Sequence, residues 1–257
     1  PKCAVVGYGS WATAIVKTLT TNRHHINWLV LNEEILQSLE RRGRNSKYLP
    51  WCDIDKEYFT ASADINAVVE DADIVIMAMP SAYMKKFLEP LTVDLSNKIV
   101  VSVVKGIIPG DYLTIVEHIH RYYNVPMQNL CVVTGPSHAE EVAQGRLSYL
   151  TVAAEDKSTA ESVRAVLENE FFRCSLSDDV LGVEGAAIMK NIYALAVGMA
   201  VGLRFGDNFL AVLIAGCANE MKRFLDEAIP IENRDINISA YMGDLRVTCY
   251  SPLSRNR

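Results

Sequence analysis

One lysine, Lys190, lies inside residues 183–208, VEGAAIMKNIYALAVGMAVGLRFGDN, where nearly every central position is apolar or small. That composition reads as a helix buried on most of its faces. An ammonium group in such surroundings loses hydration, and the loss disfavours its charged form. Lys190 is therefore either a proton-transfer group or a side chain that snorkels out to water. A second set of residues points to phosphate chemistry. Gly7, Gly9 and Ala12 in GYGSWATA fit the G-x-G-x-x-G/A spacing of a dinucleotide loop. The first glycine permits a tight turn, the second lets backbone approach a pyrophosphate, and the small third residue lets helix and strand pack closely. Free N–H groups at the helix start then face the phosphates.

These groups need elements to position them. Residues 2–7, KCAVVG, form an apolar strand leading into the glycine loop, and helix-forming residues follow from Thr13 to Leu19. A second strand spans 26–31 and ends at Leu31-Asn32-Glu33-Glu34. Asn32 can bond a ribose hydroxyl there. The two acids either repel a 2′-phosphate, favouring NAD over NADP, or fill the first turn of the next helix. Residues 35–60 read as a helix end and a polar loop with a solvated basic cluster, Arg41, Arg42, Arg44 and Lys47.

Apolar strands at 73–79 and 97–104 follow, the second ending at Lys105-Gly106. Lys105 is a surface lysine or a substrate contact, because open α/β sheets bind ligands beyond the carboxyl ends of their strands. A strand at 130–134 precedes Gly135-Pro136-Ser137-His138-Ala139, where Ser137 can cap the helix that opens next. Strands at 150–154 and 171–176 flank a helix at 158–168. Alternation at this spacing gives an α/β, Rossmann-like doubly wound parallel sheet. After Asp179 the pattern changes to helices: the Lys190 segment, then 209–228, then about 238–249. We expect a dinucleotide-binding domain over 1–178 and an all-α substrate domain over 179–257.

Composition narrows the function classes. Of 257 residues, 50% are hydrophobic and 22% charged, as in an ordinary globular protein. A net charge of -6 argues against non-specific nucleic-acid or anionic-membrane binding, so an anionic ligand needs a local cluster of cations. The most apolar run is broken by glycines, Lys190 and Asn191, which argues against stable membrane insertion. The start, PKCAVVGYGS, does not read as a secretory leader. Six scattered cysteines without a C-x-x-C pair suggest reduced thiols in the cytoplasm and no structural zinc. His118 and His120, two apart on a helical stretch, point away from each other and make a poor metal pair.

In order along the chain, GYGSWATA, VVKGI, GPSHAEEVA, MKNIYALAVGMAVGL, GDN, GDL and SRNR resemble the bacterial-type NAD(P)-dependent glycerol-3-phosphate dehydrogenases over essentially the whole sequence. The resemblance implies a Rossmann-like domain followed by a helical one. It also implies reduction of dihydroxyacetone phosphate to sn-glycerol 3-phosphate with NAD or NADP, for phospholipid synthesis. Ser10, Trp11 and Ala139 would then lie at the cofactor. Lys105, Gly135, Ser137, Asp244, Ser254, Arg255 and Asn256 would contact the phosphorylated triose, and Arg255 and Lys105 would also reach the cofactor. Lys190 would be the catalytic lysine, and Asp244 would hold it in place. The forked guanidinium of Arg255 suits a phosphate dianion. By the same resemblance the protein would be a homodimer, and members of the family continue past SRNR, so the helical domain is expected to be incomplete here. Two other readings stay open. One is a lysine-dependent dehydrogenase acting on β-hydroxyacids, which Ser254-Arg255-Asn256 beside GDL argues against. The other is a dinucleotide-binding sensor without chemistry.

Overall fold

A computed structural model describes residues 1–251 and 254. Eight strands form one sheet: β1 (Cys3–Val6), β2 (Ile26–Leu29), β3 (Phe59–Ser62), β4 (Ile74–Met77), β5 (Ile99–Ser102), β6 (Leu130–Thr134), β7 (Ser148–Ala154) and β8 (Phe172–Ser177). They are joined by α1 (Ser10–Thr21), α2 (Glu33–Arg42), α3 (Ile65–Val69), α4 (Met84–Leu88), α5 (Ile115–Tyr123), α6 (Ala139–Ala143) and α7 (Lys157–Leu167). Three further helices complete the described chain: α8 (Val180–Gly202), α9 (Asp207–Ala228) and α10 (Asp244–Tyr250).

The spatial order is β3-β2-β1-β4-β5-β6-β7-β8. Strand order reverses between β1 and β4, the crevice where open sheets bind ligands at their carboxyl ends. The register Val6↔Met77, Met77↔Ser102 and Ser102↔Val132 brings the ends of β1, β4, β5 and β6 to one edge. The loop at Gly7, Lys105 beyond β5, and Gly135 beyond β6 therefore share that edge.

The sheet is the expected doubly wound, parallel-dominated one, with a single antiparallel pair where β7 runs back beside β6. The reason lies in α6. Its five residues rise only about 8 Å, whereas retracing five residues of β6 takes about 17 Å. The chain therefore turns and runs back beside β6. A correction concerns 35–60, which also contains the start of edge strand β3. Only Phe59 of that strand is buried, so its sequence carries little apolar alternation.

Both faces of the sheet are covered. One core holds α1, α2 and α7 side chains around Val5, Trp28, Ile76 and Val133. The other joins Val6, Met77, Val100 and Val132 to Val183, Val197, Ile214, Leu225 and Leu245 from the C-terminal helices. Helix α8 has the length and mean hydropathy, 1.4, of a membrane-crossing segment. More than half of that stretch is buried in this core, which explains its apolarity without a bilayer.

Candidate active site

Lys190 sits midway along α8 and is 4% exposed; it does not snorkel. Its ammonium group donates to Oδ1 of Asp244, itself 1% exposed, at the first position of α10. Oδ2 of Asp244 accepts from Thr134 Oγ1 at 3.1 Å and lies 3.4 Å from Lys105 Nζ. A carboxylate, two lysines and a hydroxyl thus meet from four separate elements. With both lysines charged, two cations against one anion leave a net positive patch within a protein of negative charge. Burial lowers the pKa of Lys190; the charge of Asp244 opposes that shift, and Lys105 adds to it.

Local sequence explains why the parts converge. Helix α8 begins at an Asp179 N-cap, whose Oδ1 accepts from the Gly182 amide at 3.1 Å. The same carboxylate accepts from Arg234 Nε at 2.7 Å and from the Tyr241 hydroxyl. Arg234 also donates to Asp226 of α9 at 2.9 Å. Tyr241 belongs to a π-turn, Ser239–Gly243, that leads directly into Asp244. This buried network ties the start of α8 to the turn presenting Asp244. The Gly135-Pro136-Ser137 loop lies alongside, since a Cβ placed on Gly243 would stand 3.4 Å from the Pro136 ring.

Glu184, six residues before Lys190, is a second buried ionisable group on α8, and its place in the site was not expected from the sequence. Its Oε1 accepts from the amides of Ile115 and Val116 at 3.2 and 3.4 Å, fixing the start of α5. Its Oε2 has no partner among the described residues. Burial pushes the Glu184 carboxyl up to about 7, against the lowering effect of these hydrogen bonds. Glu184 and Thr134 both carried usable signals: an acid inside an apolar helical run, and a hydroxyl at the carboxyl end of an inner strand.

The dinucleotide loop also has its expected form. Gly7 has φ of +127°, and a Cβ there would lie 2.6 Å from Ala78 O, so only glycine fits. A Cβ on Gly9 would meet nothing within 4 Å, which leaves open space for a ligand beside the backbone. Ser10 and Trp11 open α1, and the indole Nε1 of Trp11 is buried without a partner among the described residues. Ala139 opens α6, which packs against α1. Open backbone space, a helix N-terminus and an orphaned donor fit a dinucleotide phosphate.

Of the other expected residues, Ser137 departs from its expected cap. Ser137 does not cap α6: His138 holds that position, and the Ser137 hydroxyl donates back to Gly135 O at 3.0 Å. Gly135, at φ of +153°, makes a close approach to β7, with Tyr149 O 2.9 Å from where a Cβ would be. Asn32 is the N-cap of α2, its Oδ1 accepting from the Ile35 amide at 3.1 Å. Glu33 and Glu34 fill the first turn of that helix, and Glu34 pairs with Lys47 at 2.8 Å. These acids serve α2, which weakens the case for repulsion of a 2′-phosphate. The Ser254 amide donates to Ser251 O at 3.1 Å, just past α10. Arg255 and Asn256 lie outside the described residues.

A Rossmann-like sheet with a dinucleotide loop, and a buried lysine–carboxylate pair beside the same edge, define a nicotinamide-dependent dehydrogenase. Comparison with known proteins makes this specific. Residues 2–160 match the family model for the N-terminus of NAD-dependent glycerol-3-phosphate dehydrogenase, and 179–257 match the model for its C-terminus. The chain belongs to this family. It is 36% identical to glycerol-3-phosphate dehydrogenase [NAD(P)+] of Halothermothrix orenii, over all of this chain and 74% of that protein. Identity to the Pseudomonas syringae pv. syringae protein of the same description is 34%, over 98% of this chain and 73% of that one. The crystal structure of glycerol-3-phosphate dehydrogenase from Coxiella burnetii superposes with a TM-score of 0.89 at 27% identity, covering 99% and 77% of the two chains.

Proposed function

We propose that Lys190 is the proton donor and acceptor in the interconversion of dihydroxyacetone phosphate and sn-glycerol 3-phosphate with NAD or NADP. The enzyme is an oxidoreductase of that class, and its product feeds phospholipid synthesis. The observation that carries the residue assignment is the buried Lys190–Asp244 pair, with Lys105 and Thr134 on the same carboxylate.

A nicotinamide cofactor, when bound, would supply the hydride for the ketone carbon or accept it from the alcohol carbon in reverse. Negative charge then develops on the substrate oxygen, and Lys190 delivers a proton to it. Asp244 orients that ammonium group and keeps it from losing its proton too readily. Lys105 adds positive charge for the anionic substrate, with Gly135, Ser137 and Ser254 as neighbouring contacts. Arg255 and Asn256 would hold the phosphate. Gly7, Gly9, Ser10, Trp11 and Ala139 would cradle the dinucleotide, with Asn32 at the ribose. The domain division at 178/179, a homodimeric assembly and a cytoplasmic setting belong to the same proposal.

The direct experiment follows NADH and NADPH oxidation at 340 nm with dihydroxyacetone phosphate, for wild type and Lys190→Ala. We expect turnover in wild type, and a loss of at least about 100-fold in kcat in the variant with NADH affinity nearly unchanged. An unaffected kcat would make Lys190 a structural residue. Turnover of a β-hydroxyacid instead of the triose phosphate would refute the substrate assignment.

A further inference from the structure

Three consecutive carbonyl groups of the dinucleotide loop are each held by a side chain from a different part of the fold. Trp28 Nε1, on β2, donates to Gly7 O at 2.7 Å. Asn45 Nδ2, in the loop between α2 and β3, donates to Tyr8 O at 2.9 Å. Thr13 Oγ1, on α1, donates to Gly9 O at 2.9 Å. Asn45 also controls the third contact, since its Nδ2 donates to Thr13 Oγ1 at 2.9 Å. Its Oδ1 accepts from the amides of Lys47 and Tyr48 at 3.2 and 3.1 Å. Asn45 is fully buried, and both ends of its amide are engaged. A flipped amide would set Oδ1 against Tyr8 O, so the network fixes its orientation.

In a trans peptide the N–H points opposite to the C=O. Holding the carbonyls of Gly7, Tyr8 and Gly9 toward the protein therefore turns the amides of Tyr8, Gly9 and Ser10 the other way. Space is open beside the middle of these residues, because a Cβ on Gly9 meets nothing within 4 Å. We propose that Asn45 is a positioning residue that presets the loop amides for the pyrophosphate of the dinucleotide. This rests on the dinucleotide-binding reading given above. Preset amides lose no conformational freedom on binding, so the effect belongs in affinity for phosphate-bearing ligands rather than in hydride transfer.

The test compares wild type, Asn45→Ala and Trp28→Phe for binding of NADH, ADP-ribose and adenosine by calorimetry, with kcat at saturating NADH. Asn45→Ala is expected to weaken NADH and ADP-ribose by roughly tenfold, one hydrogen-bonding group's worth. Adenosine, which lacks the pyrophosphate, is expected to bind as in wild type, and kcat to stay within about twofold. Trp28→Phe keeps an aromatic side chain at this buried position but removes the donor along with the pyrrole half of the ring; it is expected to give a smaller loss of the same pattern, and it decides the matter if Asn45→Ala does not fold. Equal losses for adenosine, unchanged NADH affinity, or a fall in kcat without a change in affinity would each overturn the proposal. Wild-type protein that binds neither NADH nor ADP-ribose would overturn the dinucleotide reading itself, and this proposal with it.

Discussion

At the scale of the residue, the site is a balance of charges around one buried amine. Asp244 raises the pKa of Lys190, while burial and Lys105 lower it, and the lowering wins. In the role proposed above Lys190 must be protonated for ketone reduction, so the rate is expected to fall as pH rises through a value below the ordinary 10.5 of lysine. Asp244→Asn removes the supporting charge and is expected to move that alkaline limb to lower pH. Lys105→Met removes the opposing charge and is expected to move it to higher pH. Profiles of kcat against pH for both variants check the signs; shifts in the same direction would contradict the arrangement. Glu184 gives a stability prediction. Its folded pKa is raised to about 7 from 4.5, so between those values the unfolded chain ionises while the folded chain keeps its proton. Stability from this group therefore falls as pH rises from about 4.5 to 7, by about 3 kcal/mol at most. Glu184→Gln is expected to remove that slope, measured by urea denaturation at pH 5 and pH 7.5. A parallel loss in both proteins would show that Glu184 does not titrate in this range.

At the scale of the element, legibility followed the strength of local pattern. The continuous apolar strands and the long α8 and α9 stood out because burial leaves few polar positions in them. Strand β3 and the short helices α3 and α4 were not legible, because four or five residues carry too little periodicity. The antiparallel turn into β7 depends on the shortness of α6, which no single residue announces. Within the site, Lys190 and Lys105 were legible from their settings, but the cap at Asn32 and the hydroxyl at Thr134 needed coordinates to assign. Asn32 yields a prediction at this level. Asn32→Ala is expected to cost about 1 kcal/mol through loss of the α2 cap, whereas Asn32→Asp keeps it. Thermal or urea unfolding measures both, and equal stability of all three proteins would mean that the cap contributes nothing.

At the scale of the molecule, α8 and α9 leave an apolar surface open. Ile192, Leu195, Met199 and Leu203 on and just beyond α8, with Phe209 and Val212 on α9, are each at least 44% exposed. A patch of this kind drives association. The 257-residue chain is expected to self-associate with rising concentration, and Met199→Glu with Val212→Glu is expected to suppress it. Sedimentation velocity from about 1 to 100 µM decides the matter; a wild-type monomer throughout would leave the surface without a role in assembly.

The donors around Asp244 are drawn from residues 105, 134 and 190, so the Lys105 contact alone spans 139 positions of sequence. No local fragment of the chain can make this site in advance, and contacts closing such long loops form late in folding. During refolding, helical signal and compactness should therefore return before catalysis does. Regained turnover then serves as a clock for the step that brings Asp244 against Lys105 at the sheet edge.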